Sequence, residues 1–124
     1  MKLVSYLKDG HDQLAIYYEG NLYNTDQLHP ELPSGMQMFL NYWDDYFPIA
    51  QSCLRAIENG RVTTTKGIPA EEEYLLAPVP TPTSCRDGYA FRQHVESARR
   101  NRGAGMIPEF DQYPVFYFTN HHSI

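Results

Sequence analysis

The ten residues Cys85-Arg86-Asp87-Gly88-Tyr89-Ala90-Phe91-Arg92-Gln93-His94 bring a carboxylate, a phenol, a guanidinium and an imidazole into one short segment. Ser84 and Asp87 stand three residues apart, a pattern that resembles the capping box at a helix start. It predicts a helix over about residues 87–100. The shared face of that helix is predicted from three- and four-residue spacing and consists of Ala90, Phe91, His94, Val95 and Ala98.

The spacing of Asp87 and His94 has a functional and a structural interpretation. Seven residues of helix are about two turns, or roughly 10 Å along the axis. That separation is too long for a direct hydrogen bond, but it suits two groups that hold opposite ends of one small substrate. In the structural alternative, Asp87 is only a helix cap and His94 is only a polar residue on a half-buried face.

Outward from this segment, the first 24 residues predict a β-meander, as is common at the start of small barrels. Residues 2–7 and 14–18 alternate in the manner of strands, and residues 22–24 form a third short strand. An Asp-Gly pair at residues 9–10 and a Glu-Gly-Asn sequence at residues 19–21 predict the connecting turns.

Two helices are predicted next, one over residues 36–42 that is capped by Ser34, and one over about residues 46–59 that ends at Gly60. Residues 61–65 are rich in β-branched side chains, and residues 74–79 read as a strand that prolines stop.

A domain boundary is predicted near residues 80–83, which gives an N-terminal α+β domain over residues 1–80 and the start of a second domain over residues 81–124. The second domain contains the helix described above and a last strand over residues 113–119.

Composition limits the class of function. The net charge of −5 argues against a nucleic-acid partner that is held by phosphate contacts. A basic cluster at Arg92, Arg99, Arg100 and Arg102 is either a solvated helix face or the source of an anchor for a carboxylate substrate. No signal peptide and no membrane-spanning apolar run is visible, so we expect a soluble cytoplasmic protein whose two cysteines are reduced.

Three ordered motifs resemble the fumarylacetoacetate hydrolase family. The sequence Asp-x-Tyr-x-x-Arg-Gln-His at residues 87–94 looks like the family's active-site helix. A proline-rich lead-in at residues 76–82 precedes it, and Pro-Val-Phe-Tyr at residues 114–117 follows it. The resemblance covers residues 74–124 and implies that a β-rich catalytic domain begins after residue 80.

The resemblance also implies roles. His94 is similar to the general base that activates water for cleavage of a carbon–carbon bond in a β-diketone or acylpyruvate-type acid. Asp87 is similar to a carboxylate ligand of Mg²⁺ or Ca²⁺. Tyr89 and Tyr117 match substrate-binding tyrosines of the family. The family also has a substrate-binding arginine after the histidine, and Arg102 lies one position from its expected place. Members of the family are usually homodimers.

Several groups of the family's active site lie beyond the equivalent of Ile124, namely its other metal carboxylates, its catalytic lysine and the acid that orients the histidine. We therefore expect the front part of a longer protein, inactive by itself. The alternative is a non-catalytic assembly or interaction module of mixed α/β fold. Adjacent His121 and His122 do not predict a metal site, because neighbours on a strand point to opposite faces.

Overall fold

The computed structural model describes residues 1–89 and 91–120. The chain divides into two compact units, Met1–Thr81 and Pro82–Ile124. The fold is α+β, with a curled antiparallel five-stranded sheet that forms a half-barrel and with four helices in the described residues. The predicted fold class is therefore confirmed at this level, whereas the assignment of the second unit to a larger catalytic domain stays a prediction.

The half-barrel sheet of the first unit is a β-meander with one short strand added at each edge. Its strands are β1 (Lys2–Lys8), β2 (His11–Tyr18), β3 (Asn21–Asn24), β4 (Ile68–Pro69) and β5 (Tyr74–Leu75). They lie in the order β4-β3-β2-β1-β5, and each neighbouring pair is antiparallel.

Two-residue turns fix the register of the meander. Lys8 pairs with His11, so that Asp9 and Gly10 alone make the first turn. Both have positive φ, 51° and 81°, which is the requirement of a type I′ turn. The second turn, at residues 19–20, repeats this conformation. The predicted turns are confirmed because the Asp-Gly and Glu-Gly pairs supply a residue without Cβ at the second left-handed position.

Alternation along β2 divides the core of the first unit between the two faces of the sheet. Leu14 and Ile16 are fully buried in the larger cluster, and Ala15 between them is fully buried in a smaller one. Tyr6 belongs to the smaller cluster, where its hydroxyl donates to Asn24 Oδ1 at 2.8 Å. The other buried members of the larger cluster are Leu32, Met36, Phe39, Ala50, Cys53 and Ile57.

The helices of the first unit are α1 (Thr25–Leu28), α2 (Met36–Asn41) and α3 (Trp43–Glu58). The two predicted helices are thus confirmed as elements, but their starts differ. Gly35, and not Ser34, occupies the N-cap of α2. The next helix begins at Trp43, earlier than predicted, and Tyr42 alone separates it from α2. The early start places Trp43 edge-on against Phe39, with ring centroids 5.8 Å apart.

Gly60 ends α3 as predicted. Its φ is +64°, and its N–H donates to the Ile57 carbonyl at 2.9 Å. Arg61 N–H donates to the Ala56 carbonyl at 2.9 Å. These two bonds form a Schellman motif, which satisfies carbonyls that the helix end would leave unpaired.

Predicted strands in the second half of the chain are shorter than expected. No strand forms over residues 61–65, where Thr65 instead donates its hydroxyl to Gln27 at 2.8 Å. The strand predicted for residues 74–79 is reduced to β5, and Ser5 then donates its hydroxyl to the Pro78 carbonyl at 2.9 Å. Pro78 limits the second of these segments, because proline lacks the N–H that a ladder requires.

The second unit contains β6 (Cys85–Gly88), α4 (Arg92–Asn101) and β7 (Phe116–Thr119). The two strands pair antiparallel, with Asp87 opposite Tyr117. A 3₁₀ turn, Pro108–Asp111, lies between α4 and β7. Among the described residues of this unit, Val95 is the one that is buried, at 2% exposed.

The predicted helix over residues 87–100 is wrong in its first third. Asp87 lies in β6, and α4 begins at Arg92 with Phe91 in the N-cap position. Ser84 accepts a hydrogen bond from Arg86 at 3.2 Å and does not cap a helix. The extended conformation is preferred here because it pairs these backbone groups with β7, whose aromatic residues favour a strand.

The predicted helical face also needs correction. Phe91 has extended backbone angles, φ −87° and ψ 106°, and is 81% exposed. His94 is exposed, Val95 is buried and Ala98 is half-buried. Ala90, the remaining member of that face, lies outside the described residues. The shared face fails because Phe91 precedes the helix and does not follow its 3.6-residue period.

We expect Phe39→Ala to lower the free energy of unfolding of the first unit by about 3–5 kcal/mol, because it empties a fully buried site in the larger cluster. Fluorescence of Trp43, the one tryptophan of the chain, reports unfolding of this unit in urea. Leu40→Ala is the matched control, since Leu40 lies next in α2 but is 43% exposed, and it should cost about 1 kcal/mol or less. Equal midpoints for the two variants would contradict the assigned core.

Candidate functional site

The pairing of β6 with β7 builds the first part of the candidate site. Because Asp87 and Tyr117 are direct cross-strand partners, their side chains leave the sheet on the same face. The Tyr117 hydroxyl donates to Asp87 Oδ2 at 2.5 Å. The N–H of Tyr89 donates to the Val115 carbonyl at 2.9 Å. This bond extends the ladder beyond the strands and fixes the position of the Tyr89 backbone.

Tyr89 connects the strand pair to α4. Arg102 Nη2 lies 3.2 Å from the Tyr89 hydroxyl and donates to it. The ring of His94 stands edge-on to that of Tyr89, with centroids 6.3 Å apart and planes at 88°. The Phe110 ring makes a similar contact at 6.4 Å. One phenol therefore contacts the imidazole, the guanidinium and a supporting aromatic ring.

His94 faces an open cavity of about 470 Å³ that is lined by Phe91, Arg92, Gln93, His94 and Ser97. Its imidazole is exposed, and no described residue forms a hydrogen bond with it. Arg92, at the mouth of the same cavity, forms an ion pair with Asp111. Both side chains of this pair are more than half exposed, so it contributes little to stability.

A second cavity, of about 450 Å³, lies between the end of α4 and the strand pair. Its lining residues are Tyr89, Arg99, Arg102, Val115, Phe116 and Tyr117. Three of the five residues predicted for the site, Tyr89, Arg102 and Tyr117, are thus brought to one cavity. Asp87 contacts it through Tyr117, and His94 contacts it through Tyr89.

The carboxylate of Asp87 controls the ionisation of its neighbour. Its hydrogen bond to the Tyr117 hydroxyl, together with its negative charge, raises the pKa of Tyr117 above the ordinary value of 10.0. The bond needs the protonated phenol. Ionisation of the phenol therefore does not weaken the bond below pH 10, and the bond is lost as the pH rises through the raised pKa of Tyr117.

Metal binding has limited support from the donor atoms present. Over residues 1–89 and 91–120, no three His, Cys, Asp or Glu side chains form a group that could hold a metal ion. Asp87 supplies one carboxylate, whereas Mg²⁺ and Ca²⁺ need about six or more oxygen ligands. The described residues therefore supply one ligand of such a site, the Asp87 carboxylate. His121 and His122 lie outside the described residues.

Both cysteines are free thiols, as expected. Burial raises the pKa of the Cys53 thiol, which keeps it in the unreactive protonated form.

The sequence named Arg99 only as one member of a basic cluster, and it did not predict that Val115 and Phe116 line a cavity. The signal for Arg99 was its three-residue spacing from Arg102, which places both on one side of the helix end. Val115 and Phe116 could not be found without the pairing of β6 and β7.

No protein-family model and no curated protein matches this chain. Within the described ranges, no helix has both the length and the apolar character needed to cross a membrane.

We expect Asp87→Asn to lower the pKa of Tyr117 toward its ordinary value, because the substitution removes the negative charge next to the phenol. NMR titration of the chain with ¹³Cζ-labelled tyrosine measures this directly, and Tyr117→Phe identifies the resonance. Asp111→Asn removes another exposed carboxylate of the same unit and should leave Tyr117 unchanged. A Tyr117 titration that is identical in wild type and Asp87→Asn would contradict the cross-strand bond.

Proposed function

We propose that this chain is the N-terminal portion of a metal-dependent hydrolase of the fumarylacetoacetate hydrolase family, which cleaves a carbon–carbon bond in a β-diketone or acylpyruvate-type acid. The observation that carries the proposal is the connected set of contacts in the second unit. Asp87 bonds to Tyr117, while Tyr89 contacts both His94 and Arg102. The five residues that the resemblance implies are thus joined in two groups of contacts.

In this proposal, His94 is the general base. An imidazole titrates near neutrality, and this one is exposed at an open cavity where water has access to it. It takes a proton from water as the oxygen attacks a substrate carbonyl carbon. The carbon–carbon bond then breaks, and its electron pair leaves with the enolate fragment. Tyr89 holds the imidazole from one side, edge-on.

The acid group of the substrate binds in the cavity at the end of α4. Arg102 offers a charged donor there, and its bond to the Tyr89 hydroxyl fixes the direction of the guanidinium. Tyr117 adds a hydroxyl oxygen to the cavity, and its proton is donated to the Asp87 carboxylate. The Tyr89 hydroxyl accepts from Arg102 and so keeps its own proton, which it can donate to a carboxylate or to a carbonyl oxygen.

Asp87 is the proposed ligand for Mg²⁺ or Ca²⁺. A bound divalent ion would polarise the substrate oxygens and stabilise the enolate. Asp87 has a second carboxylate oxygen besides the one that accepts from Tyr117, but the remaining ligands must come from outside the described residues. The proposal also includes a cytoplasmic homodimer that acts on a small oxo acid, with neither nucleic acid nor membrane as partner.

The alternative function is a non-catalytic assembly module. It is favoured by the large apolar side chains that the second unit exposes, an arrangement typical of surfaces that other protein covers. These exposed residues are Phe91, Ile107, Tyr113, Val115, Phe116, Tyr117 and Phe118. An assembly role would not require His94, so the histidine substitution below separates the two functions.

The 124-residue chain alone should not hydrolyse an acylpyruvate at a measurable rate, because the described residues supply only one carboxylate for the metal. The test incubates the chain with acetylpyruvate and Mg²⁺ and follows the loss of the β-diketone absorbance. Turnover of roughly 1 per second or faster would show that the site is complete without further residues.

We expect a longer polypeptide from the same reading frame to hydrolyse acetylpyruvate, and His94→Ala should lower its kcat by about 100- to 10,000-fold, the usual cost of removing a general base. Stability should change little, since the side chain is exposed. Thermal unfolding and Mg²⁺ binding are measured on the same samples.

Glu96→Gln is the control for that experiment, because Glu96 lies on the same helix and has no assigned role. Its activity should remain close to wild type. Near-wild-type turnover in His94→Ala, or unfolding of that variant, would make His94 structural. An absence of hydrolysis in the longer polypeptide itself would favour the assembly module.

A further inference from the structure

One ion pair joins two separate segments of the second unit. Arg92, the first residue of α4, donates to the carboxylate of Asp111, the last residue of the 3₁₀ turn and nineteen positions further along the chain. It is the one ion pair among the described residues. Because both side chains are more than half exposed, the pair adds little to the free energy of unfolding. It does restrain the distance between the 3₁₀ turn and the start of α4.

The 3₁₀ turn passes that restraint from Asp111 to its neighbour Phe110. Pro108 stands in the first positions of the turn, where its ring fixes φ. The N–H of Phe110 donates to the Ile107 carbonyl at 3.2 Å, and the Glu109 carbonyl accepts from the two N–H groups that follow the turn, at 3.1 and 3.0 Å. Holding Asp111 in place therefore also holds Phe110, which is half-buried.

The rings of Phe110 and His94 both contact Tyr89. The ring centroids of Tyr89 and Phe110 are 6.4 Å apart and those of Tyr89 and His94 are 6.3 Å apart, each pair edge-on with planes at 88°. Among the described residues, His94 forms no hydrogen bond and contacts no other ring. The orientation of the imidazole therefore depends on the position of the Tyr89 ring.

We propose that Asp111 is a positioning residue for His94. Its ion pair with Arg92 holds the 3₁₀ turn at the start of α4. Phe110 in that turn supports the ring of Tyr89, and Tyr89 orients the imidazole. The inference rests on the proposed function for the role of His94 as the base. Asp111 is not among the residues that line the His94 cavity, so it acts through these contacts and not on the substrate.

The first test measures the nuclear Overhauser effect between the ring protons of Tyr89 and the imidazole protons of His94, in the 124-residue chain with ¹³C-labelled histidine and tyrosine. We expect Asp111→Ala to abolish this effect, because the 3₁₀ turn then no longer holds Phe110 against Tyr89. The pairing of β6 with β7 does not involve Asp111, so the amide signals of Cys85–Gly88 should stay in place and report a folded unit. Asp111→Glu keeps the carboxylate and should restore the effect.

Glu109→Ala is the matched control for the first test. Glu109 lies in the same 3₁₀ turn and is exposed, and its side chain bonds to no described residue. The substitution thus removes an equal charge without breaking the ion pair, and it should leave the effect unchanged. Phe110→Leu keeps the ion pair and an apolar side chain but removes the ring. It should abolish the effect, which tests the relay even if Asp111→Ala folds poorly.

The second test uses the longer polypeptide and separates kcat from KM. Asp111→Ala should lower kcat for acetylpyruvate by about 10- to 100-fold, because a small misplacement of a catalytic group costs that much in rate. KM should stay close to wild type, since Arg102, the proposed substrate anchor, remains bound to the Ala98 carbonyl. Asp111→Glu should recover most of the lost rate.

Three results of the first test would overturn the inference: an unchanged effect in Asp111→Ala or Phe110→Leu, equal losses in Asp111→Ala and Glu109→Ala, or no recovery in Asp111→Glu. The nuclear Overhauser measurement is independent of hydrolysis. The expected losses without any turnover in the longer polypeptide would reject the proposed reaction alone, whereas turnover that does not respond to Asp111→Ala would reject this inference alone.

Discussion

The antiparallel pairing of β6 with β7 is the interaction on which the second unit depends. It satisfies the backbone groups of Cys85–Gly88 with those of Phe116–Thr119, segments that lie about thirty residues apart in the chain. Once this register is fixed, Asp87 must stand opposite Tyr117, and Tyr89 must leave the ladder next to Val115. A shift by one residue would move Asp87 to the other face and separate it from the Tyr117 hydroxyl.

The same pairing explains why this unit exposes so much apolar surface. A two-stranded sheet and a ten-residue helix provide little interior. Among the described residues of the second unit, Val95 alone is buried. Arg86 covers part of one face of the strands, with its guanidinium 4.7 Å from the centre of the Phe118 ring and 5.9 Å from that of Phe116. The geometry of the candidate site is therefore set by backbone hydrogen bonds and not by a buried core. The pairing of β6 with β7 positions Asp87 and Tyr117, and the bond to Val115 positions Tyr89.

Local signals in the sequence were sufficient for most of the first unit. The turn at Asp9 and Gly10, the end of α3 at Gly60 and the alternation along β2 each depend on the conformational preference of a few adjacent residues. The strand predicted for residues 61–65 failed because propensity without a pairing partner does not make a strand.

The second unit shows the opposite relation. The spacing of Ser84 and Asp87 favoured a helix, but the partner that decides the conformation of Asp87 lies in β7. The contact of Tyr89 with His94 was within reach of the sequence, because the two residues lie close together in one segment. The bond between Asp87 and Tyr117 was not, since it requires the register of two distant strands.

Charge is distributed unevenly between the two units, and this changes what the acidic composition means. Residues 1–81 contain five Lys or Arg against eleven Asp or Glu, a net charge of −6, whereas residues 82–124 contain five against four, a net charge of +1. The acidity that argues against phosphate-bound partners thus originates in the first unit. Arg99 and Arg102 belong to the second unit, whose own net charge is slightly positive. An acidic substrate at the second unit is consequently compatible with a net acidic chain.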